Sequence, residues 1–301
     1  MSGSAKPPQP PAAAPPASRG GSPSVDRDAL AALVRTTLSG IETAKSPPPT
    51  PQRPRLGARF ALPPLKPAVL AVRTIADLSP ELASALGLAP TQRAVGFITC
   101  TSDDALYVAL DEGTKAARVD VVYAKSFYAG AAHASGPLSG EVIGCYASHD
   151  IDEVHAALAA CRRCLTDEAW FYAADTRATF GGKSEPVAFF PHVVRATGTY
   201  LSQQAGIQPG EPLAYLIAPP VEALVGIDAA LKTGGVRMLR FFGPPTETNF
   251  AGAYLGGALP ACEAAAEAFA AAVLDVCQHP QPKGSWSARG AGERLPTRRS
   301  V

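Results

Sequence analysis

Three groups of residues in this chain are of types that can do chemistry. His133 stands in "KSFYAGAAHASGPLSGE" (Lys125 to Glu141), with Glu141 at its end and Asp103 earlier, in "TSDD". An imidazole with two carboxylates could move protons as general acid and base. Cys161 and Cys164 form a C-x-x-C, the spacing of a redox dithiol or of half a zinc site. Asp103 follows the strand "VGFITC", Glu141 opens the strand after the long loop, and Trp170 and Phe171 stand in "EAWFYAAD", so that acids and aromatic rings form the third group. Each has a plainer alternative, and for Asp103 in "SDD" it is the capping of the helix that follows.

The surroundings argue against catalysis. The C-x-x-C lies inside an alanine-rich helical pattern, "VHAALAACRRCL", with no second cysteine pair and no His at zinc-ligand spacing. The sequence has no phosphate loop and no nucleophile elbow. We therefore expect a protein that is not an enzyme, with no metal and no cofactor.

Composition bounds what remains. The chain has 301 residues, 47 % of them apolar, and a net charge of +1, which fits two globular domains and gives no reason to expect a nucleic-acid or membrane partner. Six cysteines without a regular framework, and an N-terminus without the apolar region of a signal peptide, point to a reducing cytoplasm. The longest apolar helical run is interrupted by Glu263, Glu267 and Asp275, so no membrane span is expected. Residues 1–64 hold 14 of the 30 prolines, too little apolar surface to offset ordering, and are expected to be disordered. Within them, residues 24–45 repeat apolar side chains at Leu30, Leu33, Val34, Leu38 and Ile41, an amphipathic helix between proline-rich linkers. Residues 281–301 read as a flexible basic tail.

The elements that must position the acids come twice. "DEGTKAARV" (Asp111 to Val119) and "DAALKTGGV" (Asp228 to Val236) share an Asp-x-x-x-Lys-x-x-x-Val frame at an offset of 117 residues. Ahead of it, Glu81 to Cys100 lies on Tyr200 to Pro219 at an offset of 119, matching Leu82 with Leu201, Gly87 with Gly206 and Pro90 with Pro209. Strands are expected at Ala68–Ile75, Val95–Cys100, Val119–Ala124 and from Gly140, and again at His192–Ala196, Leu213–Ala218, Val236–Phe242 and from Gly252. Final helices are expected at Asp150–Leu165 and Pro260–Cys277. The order in each copy is strand, short helix, strand, helix, strand, strand, helix. This is an α/β (α+β) domain of split βαβ, ferredoxin-like type, duplicated in tandem as residues 65–188 and 189–280.

Laid out in this way, the residues resemble the bacterial microcompartment shell domain, whose helix before the second core strand carries a motif close to D-A-M-x-K-A-A-x-V. Asp111, Lys115, Ala116, Ala117 and Val119 fit it in the first copy, and Asp228, Ala229, Lys232 and Val236 in the second. Over about residues 66–280 the chain is similar to the ethanolamine-utilisation L-type subfamily, a permuted tandem shell protein in which the strand that closes an ordinary domain has moved to its front.

The resemblance implies a structural shell protein: a homotrimer forming a pseudo-hexagonal tile, with a central pore that opens and closes for a metabolite or cofactor, located in the shell of a cytoplasmic microcompartment. It implies pore loops at Phe127, Tyr128, Ala129, Gly130 and His133 in the first copy, and at Thr246, Glu247, Thr248, Asn249 and Phe250 in the second. Lys115 and Lys232 would lie on the tile edge. Asp103 and Glu141, with Trp170 or Phe171, would bind a small amine such as ethanolamine. Expected partners are other shell proteins and encapsulated enzymes, the latter through the helix at 24–45. A soluble two-domain sensor that binds a small amine without forming a shell remains an alternative reading.

Overall fold

The duplicated pattern folds as two copies of one antiparallel α/β unit. A computed structural model describes residues 59–126, 136, 138–176, 185–244, 246 and 249–280. Residues 1–58 of the expected extension, with its helix at 24–45, and the expected tail at 281–301 lie outside the described residues; residues 59–64, expected to be disordered, are ordered, with Pro64 in a strand and Phe60 and Leu62 packed on a core.

The first copy runs β2 (Val69–Ile75), α1 (Pro80–Ala85), β3 (Ala94–Cys100), α2 (Asp103–Ala116), β4 (Asp120–Ser126), β5 (Val142–Ser148) and α3 (Ile151–Asp167), after a short β1 (Pro64–Leu65). Then come β6 (Phe171–Ala174) and the second copy: β7 (Val187–Val194), α4 (Thr199–Ala205), β8 (Leu213–Ala218), α5 (Pro220–Lys232), β9 (Val236–Phe242), β10 (Ala251–Gly257) and α6 (Leu259–Gln278). The sheets order their strands identically, β2-β3-β5-β4 and β7-β8-β10-β9, and the second sheet continues beyond β7 through β6 to β1. Equivalent pairs hold equivalent register: Gly96 faces Tyr146 across β3 and β5, and Tyr215 faces Tyr254 across β8 and β10.

Local chemistry explains the elements. Apolar side chains at helical spacing bury Leu106, Ala109, Leu110 and Gly113 of α2, with Asp103 and Asp104 in the first turn and Lys115 in the last, as the helix dipole favours. Gly87 and Gly206, which the repeat aligns, both adopt left-handed backbone, at φ 73° and 67°. Each ends a short helix with a conformation that costs glycine nothing. Each long helix pair, α2 with α3 and α5 with α6, packs together over its sheet.

Two differences from the expected strands have clear causes. Strand β7 starts at Val187 rather than His192, and it contains Pro191 in "VAFFPHVV", a residue with no N–H to give to a ladder. The ladder from β6 ends at Phe189, so Pro191 follows the last paired residue on that side. Strand β6 was not anticipated; all four of its residues are apolar and buried, with no alternation to mark a strand.

The larger core is continuous across the copies, joining Ile98, Leu106, Val108 and Leu110 to Leu201, Tyr215 and Tyr254. A second core joins Phe189, Leu216, Ile227 and Phe269 of the second copy to Tyr172 and Ala174 of β6, and Phe60 and Leu62 pack against it.

Candidate functional site

The site lies where the first copy meets the second. Helix α2 begins at Asp103 with Ser102 as its N-cap, and the Ser102 side chain makes no capping bond. Asp103 is thus the first helical residue and not the cap. Its carboxylate accepts the Asp104 N–H at 2.8 Å and the Ser126 hydroxyl at 3.0 Å. Ser126 ends β4, and its hydroxyl also lies 3.5 Å from the Glu141 carbonyl oxygen. Glu141 precedes β5 and donates its N–H to the Cys100 carbonyl at 2.9 Å. The end of β3, the start of α2, the end of β4 and the start of β5 therefore converge on Asp103 and Glu141, the two acids singled out in the sequence.

A third acid was missed. Asp104 is buried and accepts the hydroxyl of Tyr215, which comes from β8 of the second copy. Tyr215 meets Tyr254 edge to face, ring centroids 4.5 Å apart. Burial pushes the Asp103 carboxyl above the usual carboxylate range, opposed by its hydrogen bonds from the Asp104 N–H and the Ser126 hydroxyl. Burial pushes Asp104 well above that range, and the neighbouring Asp103 charge adds to it. Beside these acids, the Ser102 hydroxyl is a buried polar group that, among the described residues, has no hydrogen-bond partner. A buried hydroxyl of this kind can satisfy a polar group brought to it.

The aromatic candidates part company. Phe171 stacks on Phe190 with centroids 4.9 Å apart, and Phe190 meets Tyr215 edge to face at 5.6 Å. Phe171 is thus linked through one ring to the tyrosine that holds Asp104. Trp170 already carries an ammonium, Lys66 Nζ lying 4.1 Å from its ring centroid, and it donates its indole N–H to the Leu165 carbonyl at 3.0 Å.

Of the loop residues, Phe127, Tyr128, Ala129, Gly130, His133, Glu247 and Thr248 lie outside the described residues. Thr246 donates its hydroxyl to the Phe250 carbonyl at 2.8 Å, and the Asn249 N–H reaches the Thr246 carbonyl at 3.1 Å. Asn249 takes the left-handed backbone of a tight turn, φ 62°. Phe250 leans on Phe171, centroids 5.9 Å apart, so this turn touches the aromatic chain that leads to the acids.

The two motif copies sit in different surroundings. Asp111 is fully buried, its carboxylate accepting the N–H groups of Gly198 at 2.6 Å and Leu201 at 2.8 Å, and Lys115 donates to the Ala196 carbonyl at 2.8 Å and to Glu112. Asp228 and Lys232 are exposed and pair with each other at 2.5 Å.

Among the described residues no group of His, Cys, Asp and Glu could hold a metal ion. All six cysteines are free and buried. Burial pushes the Cys161 and Cys164 thiols far up, and both side chains are buried in the packing of α3. No helix among the described residues is long and apolar enough to cross a membrane.

Comparison with known proteins gives one answer at every level. Residues 94–173 match the BMC domain family. The chain is 48 % identical over 216 residues to the bacterial microcompartment shell protein EutL of Clostridium perfringens, covering 72 % of this chain and 96 % of that protein. It is 45 % identical to EutL of Salmonella typhimurium, covering 95 % of it. The crystal structure of the ethanolamine utilization protein EutL from Leptotrichia buccalis superposes with a TM-score of 0.66 at 48 % identity, over 71 % of this chain and 96 % of that one. The trimeric bacterial microcompartment shell protein PduB superposes with a TM-score of 0.55 at 17 % identity, a likeness of fold.

Proposed function

This chain belongs to the EutL family of bacterial microcompartment shell proteins, and from that premise we propose that three copies close into a pseudo-hexagonal tile with a gated central pore. Its family is one of structural shell proteins, and the name EutL implies ethanolamine utilisation. The repeated strand order of the two sheets carries the finer reading. A chain holding two equivalent units fills six positions around an axis with three copies, and such heterologous contacts end when the ring closes.

In this reading residues 65–188 and 189–280 are the two shell domains, with β6 of the first completing the sheet of the second. The loops after β4 and β9 surround the pore, through which a metabolite or cofactor of ethanolamine catabolism passes. Asp103 and Glu141, with Asp104 beside them and Phe171 nearby, bind a small ammonium compound such as ethanolamine within each chain. The buried Ser102 hydroxyl supports this, since a ligand hydroxyl or amine would satisfy it. Trp170 supports the structure of the site rather than the ligand, because Lys66 occupies its face. Lys115 and Lys232 mark the tile edge and meet other shell proteins. Lys232 is the freer of the two, its side chain 73 % exposed against 26 % for Lys115.

The test is mass in solution together with electron microscopy of concentrated protein. A trimer that grows into hexagonal sheets, and sheets lost in the Lys115→Ala/Lys232→Ala double variant while the trimer persists, is the expected result. A monomer or an even-numbered oligomer would overturn the tile. A discrete trimer that never forms sheets would favour the soluble amine-binding sensor.

A further inference from the structure

A cleft opens at the end of the first sheet opposite the Asp103 site. It has a volume of about 390 Å³ and lies between the approach to β4 (Arg118, Asp120), the end of β5 (Ser148, His149), the turn before β3 (Thr91) and the start of α4 (Thr199). That is a volume for a small molecule, far above the ~30 Å³ that one water fills. Its two charged groups have separate partners. Glu153 of α3 accepts Arg118 Nε at 3.0 Å and Nη2 at 2.8 Å, and the Arg118 backbone N–H at 2.8 Å. The Ser148 hydroxyl holds the Arg118 carbonyl at 2.9 Å. Gln92 Nε2 donates to Asp120 Oδ2 at 2.5 Å. These bonds use neither Arg118 Nη1 nor Asp120 Oδ1, and among the described residues no ion pair joins Arg118 to Asp120. The second copy does not repeat the cleft. The offsets of the repeat put Gly210 at the place of Thr91, Gly235 at that of Arg118 and Arg237 at that of Asp120. The matched pairs Gly96–Tyr146 and Tyr215–Tyr254 put Gly256 and Gly257 where the first copy has Ser148 and His149. Surfaces that close a ring of similar units are called for in both copies, so a polar cleft built in one copy alone is not one that the ring requires.

We propose that this cleft binds a small zwitterion, a free α-amino acid, with the ligand carboxylate on Arg118 and His149 and the ligand ammonium on Asp120. One guanidinium and one carboxylate that line the same cleft without pairing suit a ligand that carries both charges. A ligand with a single charge would leave one of them unmatched. The guanidinium is oriented in advance by Glu153 and the carboxylate by Gln92, so binding gains two charge-assisted hydrogen bonds with little loss of side-chain freedom. The Thr91 and Thr199 hydroxyls on the wall give a polar side chain of the ligand both donors and acceptors. The inference rests on neither the tile nor the amine reading of Asp103 and Glu141.

The test is calorimetry of the full chain with three probes of nearly equal size: L-serine, which carries both charges, L-serinamide, which lacks the carboxylate, and glycerate, which lacks the ammonium. L-Serine should bind once per chain, and each of the other two about tenfold more weakly or less. Arg118→Gln and Asp120→Asn, both at exposed positions, should each weaken L-serine binding about tenfold while circular dichroism shows the fold kept. Excess ethanolamine should not displace L-serine. No saturable binding of L-serine would overturn the inference, and so would equal affinity for L-serinamide or glycerate. Parent-like affinity in both variants, or displacement by ethanolamine, would place the ligand elsewhere and overturn it as well.

Discussion

Ser126 donates its hydroxyl to Asp103 Oδ2 at 3.0 Å, which ties the last residue of β4 to the first residue of α2. The chain enters the long loop from Ser126, so the buried acid and the base of the loop share one hydrogen bond.

Ethanolamine binding should depend on Asp103 and Glu141 as anions. The amides keep the shape and remove the charge, and a charge-assisted hydrogen bond is about twice as strong as a neutral one. Asp103→Asn and Glu141→Gln should each weaken binding about tenfold by calorimetry. Parent-like affinity in both variants would remove these residues from the site.

The buried acid Asp104 should make stability depend on pH. Its folded-state pKa is raised, first by burial and then by the Asp103 charge. The folded state therefore holds its proton more tightly than the unfolded one, and stability is full below the ordinary carboxylate range and declines as pH rises toward the raised value. Asp104→Asn, whose amide oxygen can still accept from Tyr215, should flatten that decline. Its melting temperature at pH 8 should exceed the parent's by about 2 °C or more, the shift that ~1 kcal/mol gives a chain of this size. An unchanged slope would show that Asp104 holds no extra proton in the fold and is as ionised there as in the unfolded chain.

Replacing Asp111 by Ala should destabilise the chain itself by about 1–3 kcal/mol, because two buried backbone donors, Gly198 N–H and Leu201 N–H, lose their acceptor. Chemical denaturation at fixed protein concentration measures this. A cost below about 0.5 kcal/mol, ordinary for surface substitutions, would mean that water replaces the carboxylate there.

Native thiols should be silent. All six cysteines are buried, and burial pushes Cys100 and Cys145 up to about 12. A chromogenic disulfide reagent at pH 8 should label fewer than one thiol per chain over minutes and all six in denaturant. Fast labelling of two thiols in the folded protein would restore a redox role for Cys161 and Cys164.

Deleting residues 1–58 should leave the tile intact and weaken co-purification of a shell or cargo partner. The cut spares Phe60 and Leu62, which pack on the second core, and Arg59, which pairs with Glu267. The stripe of Leu30, Leu33, Val34, Leu38 and Ile41 is the reason to expect a partner, since an apolar helix face is stable only when something buries it. Retention of every partner by the shortened chain would refute the docking role.

Fold and family were legible in the sequence because their signals are local and repeated. Strands, helices and the aligned Gly87 and Gly206 follow from short-range periodicity and backbone preference, and the second copy tested each reading of the first. Asp103 and Glu141 could be named because the resemblance singles out acids at those two positions beside strand ends. Asp104 and Tyr215 could not be paired: they lie 111 positions apart, and all six residues of β8, "LAYLIA", are buried. A strand buried on both faces carries no alternation that says which side Tyr215 occupies. The unlike fates of Asp111 and Asp228 were equally hidden, for the two frames read alike. Only packing α2 against α4 made one carboxylate a buried acceptor and left the other in solvent, because a junction between copies is a property of how they are placed and not of either copy alone.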